Sequence, residues 1–280
     1  MKQQTFENPV KISGIGLHSG LKSEIILQQA PENTGIVFFN NGVQIKALYS
    51  NVQDTQNCTC LQREGIKVST IEHLMAALYA LKIDNAMIEI SNPELPIADG
   101  SAKVLLEILK KATLKEQNAP RKRLKVVQNV RFEDDKGNFI ELLPTKNEGL
   151  HIYFEIDFPS KIVGRQIFDE AISFDVFESK IAPARTFCEK YQIDYLRSVG
   201  LIKGGSLENA VVLDGEKILN PEGFRVKNEC VNHKVLDLIG DLYTSGFFID
   251  ADVKAFRTGH FHNNAVLKKL FENKENYEIL

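Results

Sequence analysis

The stretch of residues 232–242 combines metal-binding side chains with helical spacing. His233, Asp237 and Asp241 recur every four residues, and positions four apart lie on one face of an α-helix. The other side of this predicted helix is apolar and carries Val235, Leu238, Ile239 and Leu242. An imidazole and a carboxylate in this arrangement can bind a metal ion, but a solvent-exposed His–Asp contact would give the same pattern. The stretch by itself leaves both interpretations open.

A second stretch, residues 69–78, supplies another histidine directly after a glutamate. Glu72 follows Ser69 by three residues, so it could close a capping box at a helix start, with His73 as a surface residue. Zinc chemistry gives a reason to combine the two stretches, because a catalytic zinc takes three protein ligands and leaves one position for water. His73, His233 and Asp237 supply two imidazoles and one carboxylate. Glu72, beside the first of them, could then accept a proton from that water.

Two further stretches could complete a hydrolytic site. His260 and His262 stand in a segment before a predicted helix. Both could be surface residues, or one could be a general acid that Asp241 keeps protonated. Thr186 enters another predicted helix, where its hydroxyl could be an N-cap or could donate to a developing oxyanion. These alternatives also stay open from the residues alone.

The composition limits the class of protein. The chain has 280 residues, 43% hydrophobic and 25% charged, which is typical of a globular protein with one large or two ordinary domains. A net charge of −3 argues against a general nucleic-acid binder. The N-terminus lacks the apolar core of a secretory signal, and no apolar run reaches the roughly 18–20 residues that span a bilayer. We therefore predict a cytoplasmic protein with no transmembrane segment, in which Cys58 and Cys60 pack as ordinary thiols.

The hydrophobic pattern predicts an α+β fold in two parts of similar plan. Each part begins with strands and continues with helices, with a further strand between them. The charged, proline-containing residues 115–125 are the predicted linker, which gives domains of residues 1–119 and 120–280. Helices are predicted from a cap at Ser69 onward and over residues 101–112, 188–199, 231–245 and 263–273.

Eight strings of residues coincide with one enzyme family, in the family's order and over nearly the whole chain. The combination of the Glu-His helix, the His-Lys-x-x-Asp helix and the C-terminal Gly-His pair is highly specific. On these strings, the chain closely resembles the bacterial UDP-3-O-acyl-N-acetylglucosamine deacetylases of lipid A biosynthesis. The strings are GIGLHSG (14–20), DTQNCTCL (54–61), STIEHLMAAL (69–78), ELPIADGSA (94–102), ARTFC (184–188), GGSLENAVV (204–212), HKVLDLIGDL (233–242) and GHFHNN (259–264).

The resemblance implies a fold and an activity. The fold would be two similar α+β domains, each a small β-sheet packed on helices, with the active site in the cleft between them. An insert after Thr186 would form a tunnel for a fatty acyl chain. The activity would be zinc-dependent hydrolysis of the 2-acetamido group of UDP-3-O-(3-hydroxyacyl)-N-acetylglucosamine. The products would be acetate and UDP-3-O-acyl-glucosamine, in the committed step of lipid A biosynthesis, and the family suggests a monomer.

The resemblance also implies catalytic roles. Glu72 matches the base that activates the attacking water. His260 matches the protonated histidine that stabilises the oxyanion and then protonates the leaving amine, and Asp241 matches the carboxylate that holds this histidine. Thr186 matches an oxyanion donor. The metal ion would be zinc, or ferrous iron on the same ligands, held by His73, His233 and Asp237.

Substrate contacts are implied in the same way. Phe187 matches a residue at the sugar and acyl site, and the groups expected near the UDP moiety are Lys234, Arg257 and Phe158. Two positions depart from the family pattern. Asn232 stands where a basic residue is expected, and His262 where an apolar or small residue is expected. We choose His260 as the acid because it directly follows Gly259.

Two rival functions come from other classes. A non-catalytic binding protein for a lipid or sugar nucleotide would show a disrupted ligand set, whereas no ligand is missing here. A zinc hydrolase of the same fold that acts on another acylated sugar would differ only in its substrate profile.

Overall fold

A five-stranded sheet is the framework of the N-terminal half in the computed structural model, which describes residues 1–280. Across the sheet, the strands are β2 (Val10–Ile15), β3 (Lys22–Gln28), β9 (Ala86–Ile90), β4 (Ile36–Asn40) and β5 (Val43–Lys46). Burial alternates along β3, as expected for a strand with one face on the core: Ser23, Ile25 and Leu27 are buried, and the residues between them are more exposed. The central strand β9 is parallel to β4 and antiparallel to β3.

A seven-stranded sheet is the framework of the C-terminal half. Its strands are β11 (Arg123–Val126), β12 (Val130–Glu133), β13 (Phe139–Leu143), β14 (Leu150–Asp157), β15 (Arg165–Ala171), β19 (Phe248–Phe256) and β20 (Tyr277–Ile279). The longest of these, β19, pairs along its length with β11, β13 and β14. Its buried residues include Ile249, Ala251, Val253 and Ala255. The two halves thus have similar plans, as predicted.

Three small sheets complete the strand pairing. They are β1 (Lys2–Phe6) with β10 (Leu114–Pro120), then β6 (Val52–Asp54) with β7 (Cys60–Arg63) and β8 (Ile66–Val68), and finally β16 (Phe187–Glu189) with β17 (Val211–Asp214) and β18 (Lys217–Ile218). The second of these sheets ends shortly before the helix that contains His73, and the third begins directly after Thr186.

One helix from each half carries residues predicted to bind the metal, and these two helices contact each other. The six helices are α1 (Glu72–Ala80), α2 (Lys103–Leu109), α3 (Phe174–Val176, continued by a π-helical turn at Phe177–Ile181), α4 (Lys190–Ser198), α5 (Glu229–Tyr243) and α6 (His260–Glu272). Every residue of α1 is buried, and α1 packs against α5. Gly240 permits this approach, because a Cβ atom there would lie 2.0 Å from the carbonyl oxygen of Glu72.

The predicted linker is wrong, because residues 115–125 are mostly strand. β10 pairs with β1, and Gln117 of β10 is buried, with its side chain bonded to Asn85 and to the carbonyl of Ala30. Lys115 and Glu116 are exposed, but the side chain of Arg121 is only 6% exposed and pairs with Asp84. A composition argument cannot distinguish such a segment from a linker. No sheet contains strands from both sides of residue 121. The predicted domain boundary stays a prediction.

Helix starts differ from the prediction in three places. Ser69 does not cap α1, since its hydroxyl donates to the carbonyl of Pro93 and the N-cap residue is Ile71. The last helix begins at His260, so this residue lies in α6 and not in a loop. Thr186 precedes a strand, which rules out a helix N-cap. The longest helix has 15 residues, and none is both long and apolar enough to cross a membrane.

Candidate metal and catalytic site

Three potential metal ligands meet at the contact of α1 and α5. The ligand atoms of His73, His233 and Asp237 lie within 4.8 Å of one another, and all three residues are buried. Nε2 of His73 lies 3.6 Å from Oδ1 of Asp237, and Nε2 of His233 lies 3.5 Å from the same oxygen. Two imidazoles and one carboxylate form a donor set that suits a catalytic divalent ion. The structure thus brings together the ligands that were predicted from two distant stretches.

A backbone carbonyl fixes the tautomer of His233. Its Nδ1 lies 3.1 Å from the carbonyl oxygen of Ala184, and because a carbonyl only accepts, Nδ1 carries the proton. Burial lowers the pKa of His233 to about 3, which keeps the ring neutral. Nε2 therefore retains its lone pair on the side of the ligand cluster, in the arrangement that metal-binding histidines commonly show.

Lys234 holds the other oxygen of the ligand carboxylate. Its Nζ donates to Oδ2 of Asp237 at 2.9 Å. Burial would raise the pKa of Asp237, but the neighbouring His233 and Lys234 hold it well below its usual range. The carboxylate is therefore ionised, with Oδ1 toward the imidazoles and Oδ2 on the lysine.

Glu72 is buried beside the ligand cluster at the first position of α1. Its Oε2 accepts a hydrogen bond from the backbone N–H of Thr59 at 3.0 Å, not from its own helix as a capping box requires. Burial raises the pKa of Glu72, although the charges of His260 and His73 oppose the shift. A carboxylate with a raised pKa is a stronger base than one in water.

His260 and Asp241 form a buried pair on the other side of the site. Nδ1 of His260 lies 2.7 Å from Oδ2 of Asp241. Burial disfavours the imidazolium, but the charge of Asp241 and this hydrogen bond outweigh it and raise the pKa of His260 to about 9. The ring is therefore protonated at neutral pH, and Nε2 is the nitrogen left to donate a proton.

The chain matches the model of the UDP-3-O-acyl N-acetylglycosamine deacetylase family (LpxC) over residues 3–272. It belongs to this family. Relatives from Pasteurella multocida (strain Pm70) and Haemophilus influenzae (strain PittEE) are both named UDP-3-O-acyl-N-acetylglucosamine deacetylase. Each is 43% identical to the chain over 288 residues, which cover 100% of this chain and 93% of the relative. A relative of the same name from Actinobacillus pleuropneumoniae serotype 3 (strain JL03) is 41% identical with equal coverage. The predicted resemblance is confirmed.

A single cavity of about 900 Å³ contains most of the predicted site residues. Its lining includes Glu72, His73, Phe158, Thr186, Phe187, His233, Lys234, Asp237, Arg257 and His260. Asp241 is not on its surface and reaches it through His260. Ile193, Leu196 and Ile202 also line the cavity, in the insert after Thr186 that the resemblance assigns to the acyl chain.

Aromatic packing orders one wall of this cavity. Phe187 contacts Phe158 edge to face with ring centroids 5.4 Å apart, and the Nζ of Lys234 lies 6.0 Å from the Phe187 ring centroid. The main chain fixes Thr186 next to this pair, since its N–H donates to the carbonyl of Gly100 at 2.8 Å. Arg257 stands at a φ of 54°, and its N–H donates to the carbonyl of Glu155.

The two departures from the family pattern have separate surroundings. Asn232 is buried and donates to the carbonyl of Lys227, and it does not line the cavity. His262 does line it, but its Nε2 lies 3.1 Å from Oδ2 of Asp134 in the turn between β12 and β13. Of the two histidines, only His260 contacts Asp241, which supports its choice as the acid.

Sequence reasoning missed two residues at the site. Thr59 is 2% exposed and contacts both Glu72 and Asp241. It stands between Cys58 and Cys60, directly before β7, and all three residues are buried. His18 lines the cavity, and burial lowers its pKa. Glu94 accepts hydrogen bonds from the N–H groups of His18 and Ser19, both at 2.7 Å.

Proposed function

We propose that this protein hydrolyses the 2-acetamido group of UDP-3-O-(3-hydroxyacyl)-N-acetylglucosamine, a reaction that fits the name UDP-3-O-acyl-N-acetylglucosamine deacetylase of its relatives. The observation that carries the proposal is one cavity that contains a His/His/Asp ligand set with a buried carboxylate and a protonated histidine. A base, an acid and a metal site on one surface are the parts that amide hydrolysis needs. Phe158, Phe187, Lys234 and Arg257 would contact the nucleotide sugar from the same cavity.

The proposed chemistry divides the proton transfers between two residues. When held by His73, His233 and Asp237, the metal would polarise the amide carbonyl and lower the pKa of the attacking water. Glu72 takes a proton from that water as the water oxygen bonds to the carbonyl carbon of the amide. The hydroxyl of Thr186 and the imidazolium of His260 donate to the oxyanion. His260 then protonates the nitrogen as the C–N bond breaks, which gives acetate and the free amine.

We further propose zinc as the metal, with ferrous iron as the alternative that the same ligands accept. The cytoplasmic location and the monomeric state stay predictions, and so do the roles of the individual site residues.

Acetate release from the acylated UDP sugar tests the proposed function. The purified protein should release acetate, lose this activity after chelation, and regain it when Zn²⁺ or Fe²⁺ is added back. Tight binding of the substrate without acetate release would instead indicate a binding protein. Faster turnover of a different acylated sugar would contradict the proposed substrate.

Separate substitutions of the two neighbouring histidines should have unequal effects. His260→Gln should lower kcat by about 10²–10⁴-fold, the usual contribution of a general acid, because it removes the imidazolium that donates its proton from Nε2. His262→Gln should change kcat little, since His262 contacts Asp134 instead. Initial rates at saturating substrate measure both effects. A large loss confined to His262→Gln would overturn the assignment.

The activity should decline in alkaline solution as His260 loses its proton. A raised pKa means that the acid form is complete at neutral pH and disappears as the pH rises through about 9. Asp241→Asn removes the charge that raises the pKa of His260 against the effect of burial. The alkaline limb of the kcat/KM profile should therefore move to lower pH. An alkaline limb at the same pH in wild type and Asp241→Asn would exclude His260 as its source.

A further inference from the structure

Thr59 uses all its polar groups inside the catalytic site. It lies directly before β7 and is 2% exposed. Its N–H donates to Oε2 of Glu72 at 3.0 Å, and its hydroxyl donates to Oδ1 of Asp241 at 2.5 Å. The same hydroxyl oxygen lies 3.3 Å from Nδ1 of His260. One residue therefore contacts the side chains proposed as base, as acid and as the partner of the acid.

The contact with Asp241 completes the hydrogen bonding of a buried carboxylate. Oδ2 of Asp241 lies 2.7 Å from Nδ1 of His260 and accepts from Nδ2 of Asn263 at 2.9 Å. Oδ1 has Thr59 as its side-chain donor. Because Asp241 is 3% exposed, loss of this donor would leave Oδ1 without a partner. The carboxylate of Asp241 could then rotate about the Cβ–Cγ bond, and the imidazole of His260 that it orients would move with it.

The contact with Glu72 acts through the main chain. The N–H of Thr59 holds Oε2, and the carbonyl of Thr59 accepts from the N–H of Ile71 at 3.5 Å. Glu72 is therefore tied to the segment before β7 through its side chain and through the residue before it. Since the hydroxyl of Thr59 reaches α5 and the start of α6, the same residue connects the helix of the base to the helices of the acid pair.

We infer that Thr59 is a positioning residue that sets the orientation of His260, through Asp241, relative to Glu72. The inference rests on the proposed roles of Glu72, Asp241 and His260. General acid–base catalysis is sensitive to such placement, because a misplacement of about 1 Å can cost on the order of 10²-fold in rate. If Thr59 merely satisfied a buried oxygen, its loss would lower stability without changing the rate of the folded enzyme.

Thr59→Val tests the inference by removing the hydroxyl while keeping the shape and the N–H. We expect kcat to fall on the order of 10–100-fold, with KM and metal content unchanged, and Thr59→Ser to restore most of kcat. Thr5→Val is the matched control, because Thr5 is also buried and its hydroxyl accepts from the N–H of Ala30 outside the site. It should lower the melting temperature and leave kcat unchanged. If Thr59→Val does not fold, the pair Thr59→Ser and Thr59→Ala isolates the same hydroxyl.

A double-mutant cycle with Asp241→Asn separates this inference from the roles on which it rests. If Thr59 acts through Asp241, Thr59→Val should cost little kcat in the Asp241→Asn background. The inference alone is overturned if Thr59→Val lowers kcat equally in the wild-type and Asp241→Asn backgrounds. It is also overturned if Thr59→Val leaves kcat unchanged although Asp241→Asn lowers it. An unchanged kcat in Asp241→Asn overturns the roles of Asp241 and His260 and this inference with them.

Discussion

Replacing His233 and Asp237 together by alanine is expected to empty the metal site and abolish deacetylation. The change removes two of the three ligands from one face of α5 and leaves only His73. It also removes the carboxylate that neutralises Lys234. Elemental analysis should show a fall from about one ion per chain, as a three-ligand catalytic site holds, to almost none. Undiminished metal content would show that the ion is held elsewhere.

The structure offers a matched control for this double substitution. His151 and Asp169 are also a His–Asp pair, with Nε2 and Oδ1 3.5 Å apart, but they are exposed on β14 and β15. His151→Ala with Asp169→Ala should keep both the metal and the activity. Circular dichroism of both double variants would separate loss of the metal from loss of the fold.

Glu72→Gln should lower kcat by about 10²–10⁴-fold, the range for removal of a general base. Glutamine keeps the length of the side chain and an oxygen that can accept from the N–H of Thr59, but it cannot take a proton from water. Metal content and KM should therefore stay near their wild-type values. Steady-state kinetics together with elemental analysis measure all three quantities.

Glu89→Gln is the control for this prediction, because Glu89 is an exposed residue of β9 outside the cavity. It should leave the rate unchanged. Near-wild-type deacetylation by Glu72→Gln would contradict the assignment of the base, and a parallel loss of metal would assign Glu72 to the ligand set instead.

Local sequence patterns predicted the helices α1 and α5, but they did not predict that these helices pack against each other. The four-residue spacing of His233, Asp237 and Asp241 defined a helix face because α5 is amphipathic over its whole length. That spacing did not indicate His73 as the third ligand. The contact of α1 with α5 depends on tertiary packing and on the absence of a side chain at Gly240. Zinc chemistry gave a reason to combine His73 with His233 and Asp237, the family resemblance made this combination specific, and the geometry agrees with it.

The sequence predictions failed where one residue type serves two structural purposes. A glutamate three residues after a serine is typical of a capping box, yet Glu72 instead faces the site and accepts from Thr59. Charge and proline in residues 115–125 are typical of a linker, but the segment contains β10 and β11, and β11 lies between β19 and β20 in its sheet. Thr59 gave no signal of its own, because a buried threonine between two cysteines is also common in ordinary packing.

Gly240 has a consequence for how this protein could be inhibited. It allows α5 to approach the backbone of Glu72 so closely that a single Cβ atom has no room. Since His73 comes from one half of the chain and His233 and Asp237 from the other, metal affinity and the docking of the two helices are thermodynamically linked. A compound that stabilised a slightly wider separation of α1 and α5 would therefore weaken metal binding without competing for the substrate.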